Sequence, residues 1–381
     1  MNFEPLKNFL DNCLPRLGIP GSDTVIFRGH EPVFRYQSGY DDLKQGTPVR
    51  PDALYHMYSV TKVSLAVAAA QLIERAEIML NDPVSAYFPE YKELTVSYTR
   101  ADGTADVRPA ANPMLIKHLI TMTSGLDYNL NRPAIQRVRM QTGGKCPTLD
   151  IVRALAEEPL HFDPGTNYRY SLSLDVLGGI IELVSGMKLA DYMRENIFLP
   201  LGMTSTSFGL TGSKLERLAT QYAYDATTKS ATEIAKDHNP FVFGSEYDSG
   251  GAGLISSVDD QILLADALTH KGMGKSGNRI LSSYTVDLMR TNLLNDKQLG
   301  TFMSSAHLAG YGYGWGMRTN LYPETVGNIM PRGEMGWDGA KLSYLSACPE
   351  TGISIFHAEH MGSLHGTVIP RLRNVIYSCL D

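Results

Sequence analysis

Strand patterns stand at both ends of this chain and helical patterns fill its middle, and that order most limits what it can fold into. Near the N-terminus, "DTVIFRGHEPVFRYQSGYDD" alternates apolar and polar residues on either side of Gly29-His30, as two strands joined by a turn do. Near the C-terminus, "KLSYLSACPETGISIFHAEH" reads as two strands around Pro349-Glu350-Thr351-Gly352, and "GTVIPRLRNVIYSCLD" as a closing helix. Between them the periodicity is helical in "MLIKHLITM", in "TLDIVRALAEEPL" with Thr148 or Asp150 as its cap, in "SLDVLGGIIELVSG" closed by Gly186, and in "KLADYMRENIFLPLGM". "LNDPVSAYFPEY" breaks an earlier helix at Asn81-Asp82-Pro83 and leads into a polar loop, "SYTRADGTADVRPAANP". Strands from the two termini must pair in one sheet. The expectation is one α/β (α+β) catalytic domain over residues 1–381, with a sheet lobe at about 1–84 and 271–381. A mostly helical lobe is inserted at about 85–270, and "GSEYDSGGAG" connects the two near their boundary.

Composition excludes several classes of partner. With 43% hydrophobic and 19% charged residues, the chain has material for a large core. A formal net charge of −6 argues against nucleic acid or an anionic membrane surface as the main partner. No run of transmembrane length is free of charges, and the first residues lack the pattern of a secretory signal. Cys13, Cys146, Cys348 and Cys379 are scattered, which fits a cytoplasmic protein and no zinc or redox motif. His357 and His360 lie in the last predicted strand, where an odd spacing puts them on opposite faces, so no metal is expected.

The chemistry centres on "YSVTK", residues 58–62, just before "VSLAVAAAQLIERAEIML". A lysine inside an apolar helix needs compensation, because burying an ammonium costs several kcal/mol. Residues i and i+3 share a helix face, so Lys62 comes close to Ser59. Burial disfavours the ammonium, and a neutral amine accepts a hydroxyl proton, which turns a weak nucleophile into a strong one. Unpaired N–H groups at the helix start favour developing negative charge near Ser59. On pattern alone, an N-capping serine with a surface lysine stands as an equal reading. A second copy, Ser185-Gly186-Met187-Lys188, serves as the control: Gly186 closes a helix there, and that serine is expected in a connection.

Context decides between them. "YSVTK", "LNDPVSAYFPEY", "IKHLITMTSGL", "PGTNYRYSLSLDVLGGIIE", "ENIFLPLGMTSTSF", "GGAGLISSVDD" and "GYGYGWG" occur in that order. Together they resemble the serine β-lactamase and penicillin-binding-protein superfamily, closest to its class C branch and its carboxylesterases, from about Gly18 to the end. The resemblance implies a β-lactamase/transpeptidase-like fold with an antiparallel sheet flanked by helices. It implies Ser59 as nucleophile, Lys62 as its partner and Tyr170, in the Tyr-Ser-Leu that stands for Tyr-x-Asn, as a proton carrier; Tyr168 is the competitor. It places the third element at Trp337-Asp338-Gly339 and the oxyanion hole at the N–H groups of Ser59 and Ala340. It also puts Tyr128 at the cleft.

Two departures bear on substrate. Leu172 replaces an asparagine that helps β-lactamases hold their substrate's amide side chain. Trp337-Asp338 replaces the lysine and threonine that recognise a β-lactam carboxylate. A tryptophan offers a flat apolar wall, and an aspartate directed into the cleft repels an anion. Trp337 with Tyr-Ser-Leu resembles the carboxylesterase subgroup, although Trp-Gly-Gly is the usual form there. The resulting expectation is a cofactor-free serine hydrolase of short-chain carboxylic esters, acting on a small-molecule ester or amide. β-Lactam hydrolysis, D-amino-acid peptide cleavage and acyl transfer are the alternatives within the same chemistry. A catalytically dead binding module is the alternative outside it.

Overall fold

The structure is a computed structural model that describes residues 1–210, 212–362 and 364–380. Its main sheet has eight strands: β1 (Gly21–Arg28), β2 (Glu31–Asp42), β3 (Thr47–Pro48), β4 (Tyr311–Tyr313), β5 (Arg318–Asn320), β6 (Met335–Asp338), β7 (Tyr344–Cys348) and β8 (Ile353–Ala358). Their order is β4-β5-β6-β7-β8-β1-β2-β3, with every pairing antiparallel. The two ends of the chain meet in the middle of the sheet, where β1 pairs with β8 and Val25 lies opposite Phe356. The β1–β2 turn is made at Gly29 and His30, both at positive φ, the combination a two-residue hairpin needs.

Both faces of the central strands are covered. Ile26 and Ile355 pack with Leu6, Leu10 and Leu14 of the N-terminal helical segment and with Ile369, Leu372 and Ile376 of helix α5 (His365–Ser378). Val25, Phe27 and Phe356 belong to the larger core, which includes Val258, Ile262 and Ala265 of α3 (Val258–Thr269). Cover on both faces keeps Ser22–Phe27 of β1 buried without a break, where the alternating pattern led to one buried face.

The helical side is built round α1 (Thr61–Glu74) and α2 (Ser173–Ser185), which pack on each other and are buried along most of their lengths. Several local expectations are corrected. Residues 95–109 form a two-stranded hairpin, Thr95–Thr99 with Ala105–Pro109, because Asp102-Gly103 supplies a turn between short alternating strands. The helix Thr148–Leu155 starts after Pro147; the Thr148 hydroxyl is its first residue and accepts instead from the Asp248 N–H at 2.9 Å. Helix α3 lies against β1, β7 and β8, so this part of the inserted stretch packs on the sheet.

One short strand positions the chemistry. Leu54–His56 pairs with Leu254–Ser257, and the Met57 N–H donates to the Leu254 carbonyl at 2.8 Å. Ser59 follows on the 3-10 turn Tyr58–Val60, which runs directly into α1.

Candidate active site

Tyr58, the residue before Ser59, has a φ of 46°. A bulky residue in the left-handed region costs roughly 1–2 kcal/mol, and such strain persists only where the surroundings fix it. Here the buried Tyr58 hydroxyl donates to Gln221 Oε1 at 2.6 Å, and the Gln221 amide donates to the carbonyls of Ala235, Lys236 and His238. The turn that presents Ser59 is thereby held from behind.

Lys62 is fully buried, as its place in the apolar helix implies. Its Nζ stands 3.2 Å from Ser59 Oγ, and it donates to Tyr128 Oη at 3.3 Å and to the Gly251 carbonyl at 2.6 Å. The Gly251 peptide is in turn anchored by Asp175 in the first turn of α2. Its Oδ1 accepts from Gly251 N at 3.3 Å, Ser249 Oγ at 2.7 Å and Tyr247 Oη at 2.8 Å. Burial pushes the Asp175 carboxyl upward, against these hydrogen bonds and the charge of Lys62. Gly251 and Asp175, which hold Lys62 from behind, are positions that sequence reading missed. An aspartate in the first turn of a helix reads as an ordinary dipole partner, and only the fold buries it behind the lysine.

Three rings stack beside this pair. Tyr128 and Tyr170 are 5.5 Å apart and 18° from parallel, and Tyr170 and Trp337 are 5.7 Å apart and 20° from parallel. Lys62 Nζ lies 4.7 Å from the Tyr170 ring centroid. The Trp337 indole N–H donates to Tyr170 Oη at 3.0 Å, so Trp337 is a hydrogen-bond donor as well as a wall. Burial pushes the Tyr128 hydroxyl well above the usual phenol range, with Tyr170 and Asp175 adding to it. Tyr168 turns its edge to Phe302 and Tyr313, and burial likewise raises its hydroxyl.

The turn after β6 closes the other side. A Cβ on Gly339 would sit 2.0 Å from Ser343 Oγ and 2.4 Å from the Met57 carbonyl, so only glycine lets this turn abut the nucleophile strand. Ser343 Oγ donates to the same Met57 carbonyl at 3.0 Å. Among the described residues the Ala340 N–H has no backbone acceptor.

Ser59, Tyr128, Tyr168, Tyr170, Trp337, Asp338, Gly339 and Ala340 all line one cavity of about 680 Å³. That volume lies in the usual range for small-molecule sites. Phe241, Phe302 and Leu308 extend its apolar wall, and His307 and His365 stand on its polar side. No lysine or arginine is among the described residues that line it.

Two expectations about pocket residues are corrected. Leu172 is buried and does not line the cavity: at the start of α2 its apolar side chain enters the core while its N–H donates to the Asp127 carbonyl. Asp338 borders the cavity, yet its carboxylate is ion-paired with the buried Arg318 at 2.8 Å and approached by Arg373 at 3.9 Å. Its charge is compensated from beneath, which the sequence alone does not disclose.

The other candidates fall elsewhere. Ser185 is the last residue of α2, not part of a connection, and its hydroxyl donates to the Ile181 carbonyl at 2.6 Å. His357 lies in β8 and bonds Thr24 and Glu359, whereas His360 lies beyond the strand at positive φ. Among the described residues, His30, Asp266 and His270 bring ligand-type atoms together. Their imidazoles stack at 3.6 Å and 24°, so the ring lone pairs run side by side and do not converge on one point. No helix is long and apolar enough to cross a membrane, among the residues described.

Comparison with known proteins gives the family of the chain. A family model described as Beta-lactamase matches residues 6–358. Esterase EstB of Burkholderia gladioli is 29% identical over 398 residues, covering 98% of this chain and 94% of that protein. Protein Rv1367c of Mycobacterium tuberculosis (strain ATCC 25618 / H37Rv) is 28% identical over 345 residues, covering 89% and 85%. Among solved structures, EstCE1, described as a hydrolase with promiscuous acyltransferase activity, superposes with a TM-score of 0.78 at 26% identity over 98% of both chains. Unliganded simvastatin synthase from Aspergillus terreus shares the fold, with a TM-score of 0.81 at 22% identity over 99% of both chains.

Proposed function

Because the chain belongs to the β-lactamase family, we propose that it is a serine hydrolase that cleaves uncharged carboxylic esters, short-chain ones included, through an acyl-enzyme at Ser59. The observation that carries this reading is the 3.2 Å contact between Ser59 Oγ and Lys62 Nζ beside an aromatic cavity lined by no described lysine or arginine. Esters fit such a cavity, whereas an anionic β-lactam carboxylate finds no lysine or arginine among the described residues of its walls.

In this reading Ser59 Oγ attacks the ester carbonyl carbon and its proton passes to Lys62. A base must stand within about 2.6–3.2 Å of the proton it takes, and Lys62 meets that limit. The Gly251 carbonyl and the Tyr128 phenol hold the amine in place. The carbonyl oxygen becomes an oxyanion held by the N–H groups of Ser59 and Ala340. Each such donor contributes about 2.7–4 kcal/mol to the transition state. Collapse expels the alcohol, which takes up the proton held by Lys62 by way of Tyr170, whose ring lies 4.7 Å from Lys62 Nζ and whose Oη accepts the Trp337 N–H. Water then repeats the attack on the acyl-enzyme and frees the acid and Ser59.

An alcohol in place of water would give a new ester by the same steps. EstCE1, which combines hydrolysis with acyl transfer, supports this second reading. The test is a panel of p-nitrophenyl esters beside nitrocefin, with and without an added alcohol. Ester turnover far above nitrocefin turnover is expected. Nitrocefin turnover equal to the best ester would replace this reading with a β-lactamase.

A further inference from the structure

The geometry points to His365 as a positioning residue of the oxyanion hole, an inference that rests on the acyl-enzyme reading above. His365 opens the C-terminal helix α5, far in sequence from every catalytic candidate, yet it borders the same cavity. Its Nε2 lies 2.6 Å from the Gly339 carbonyl oxygen. A carbonyl only accepts, so His365 Nε2 carries the proton and donates it.

The peptide that receives this bond is the one whose nitrogen belongs to Ala340. In a trans peptide the C=O and the N–H point in opposite directions across one rigid plane. Fixing the Gly339 oxygen toward α5 therefore aims the Ala340 N–H the other way, across the plane from α5. The oxygen also accepts from the Leu342 N–H at 2.9 Å, so two donors hold the peptide plane. Hydrogen bonding at a carbonyl polarises the amide and strengthens the N–H as a donor. Rotation of the Gly339 side of the peptide is blocked as well, since Gly339 is wedged between Ser343 and Met57. His365 thus acts on the transition state without touching it, and it couples the last helix of the chain to the site.

Loss of one oxyanion-hole donor costs about 10²–10³-fold in kcat; a donor that is present but less firmly aimed should cost about tenfold. The experiment compares wild type, His365→Ala and His365→Gln in hydrolysis of p-nitrophenyl acetate and in inhibition by phenylboronic acid. A boronate bound to Ser59 mimics the tetrahedral state, and a ground-state ligand does not. The expected result is that His365→Ala lowers kcat about tenfold with KM changed less than about twofold, and weakens boronate inhibition by a similar factor. His365→Gln, which restores an N–H donor at similar reach, should recover most of both. Unchanged kcat and boronate inhibition in folded His365→Ala would overturn the inference, as would a loss shared by the Gln variant. Absence of ester hydrolysis and of boronate inhibition in the wild type would instead remove the underlying reading.

Discussion

The Trp337 indole N–H donates to the Tyr170 phenol oxygen at 3.0 Å while the two rings stack. Trp337 thus reaches the tyrosine that we propose as proton carrier. Removing only the N–H separates the two roles. Trp337→Phe keeps an aromatic face and should lower kcat about two- to tenfold, since a net hydrogen bond contributes about 0.5–1.5 kcal/mol. In a Tyr170→Phe background the same change should cost much less. A double-mutant cycle on p-nitrophenyl acetate hydrolysis gives the coupling, and additive losses would show that Trp337 acts only as a wall.

Lys62→Ala and Tyr170→Phe should each lower kcat by at least about 10²-fold, the lower bound for a lost acid–base group. Tyr168→Phe should do far less, because its ring packs edge-to-face with Phe302 and Tyr313, contacts a phenylalanine keeps. Tyr128→Phe should fall between, since it removes one of three partners of Lys62. Steady-state kinetics of the four variants orders them, and a Tyr168→Phe loss above that of Tyr170→Phe would reverse the tyrosine assignment.

Asp338 is a structural residue before it is a specificity residue. Removing one partner of a buried ion pair costs about 3–5 kcal/mol, and Arg318 is fully buried. Asp338→Asn should therefore lower the denaturation midpoint and should not by itself create nitrocefin turnover. An unchanged midpoint in urea titration would contradict the pairing.

The pairing also shows where sequence reading stops. Ser59, Lys62 and Tyr170 were legible because a helix repeat and ordered motifs fix their neighbours. The two-ended sheet was legible from alternation at residues 23–42 and 341–360. Arg318, Asp175 and His365 were not, since each meets the site across strands or helices that the local pattern does not connect. Leu172 failed for the opposite reason: it was read from a motif position, but its side chain's direction depends on how α2 starts.

Acid should weaken the fold through His118. Burial lowers this imidazole from 6.5 to about 4, and its Nδ1 accepts the Leu115 N–H at 3.2 Å, which only an unprotonated nitrogen does. A folded-state value below the unfolded one means the contribution is whole above pH 6.5 and is lost as pH falls toward 4. His118→Gln keeps a cap-box acceptor at the third helical position and removes the titration. Its Tm should fall less between pH 7 and pH 5 than that of the wild type, and an identical fall would exclude His118 as the source.

In the proposed reaction Ser59 is the only acylated nucleophile. Incubation with a fluorophosphonate followed by peptide mass spectrometry should show one adduct, on the peptide carrying Ser59, together with loss of esterase activity. Ser59→Ala should abolish both while keeping the wild-type circular dichroism spectrum. An adduct on Ser185, or ester hydrolysis that survives Ser59→Ala, would contradict the account.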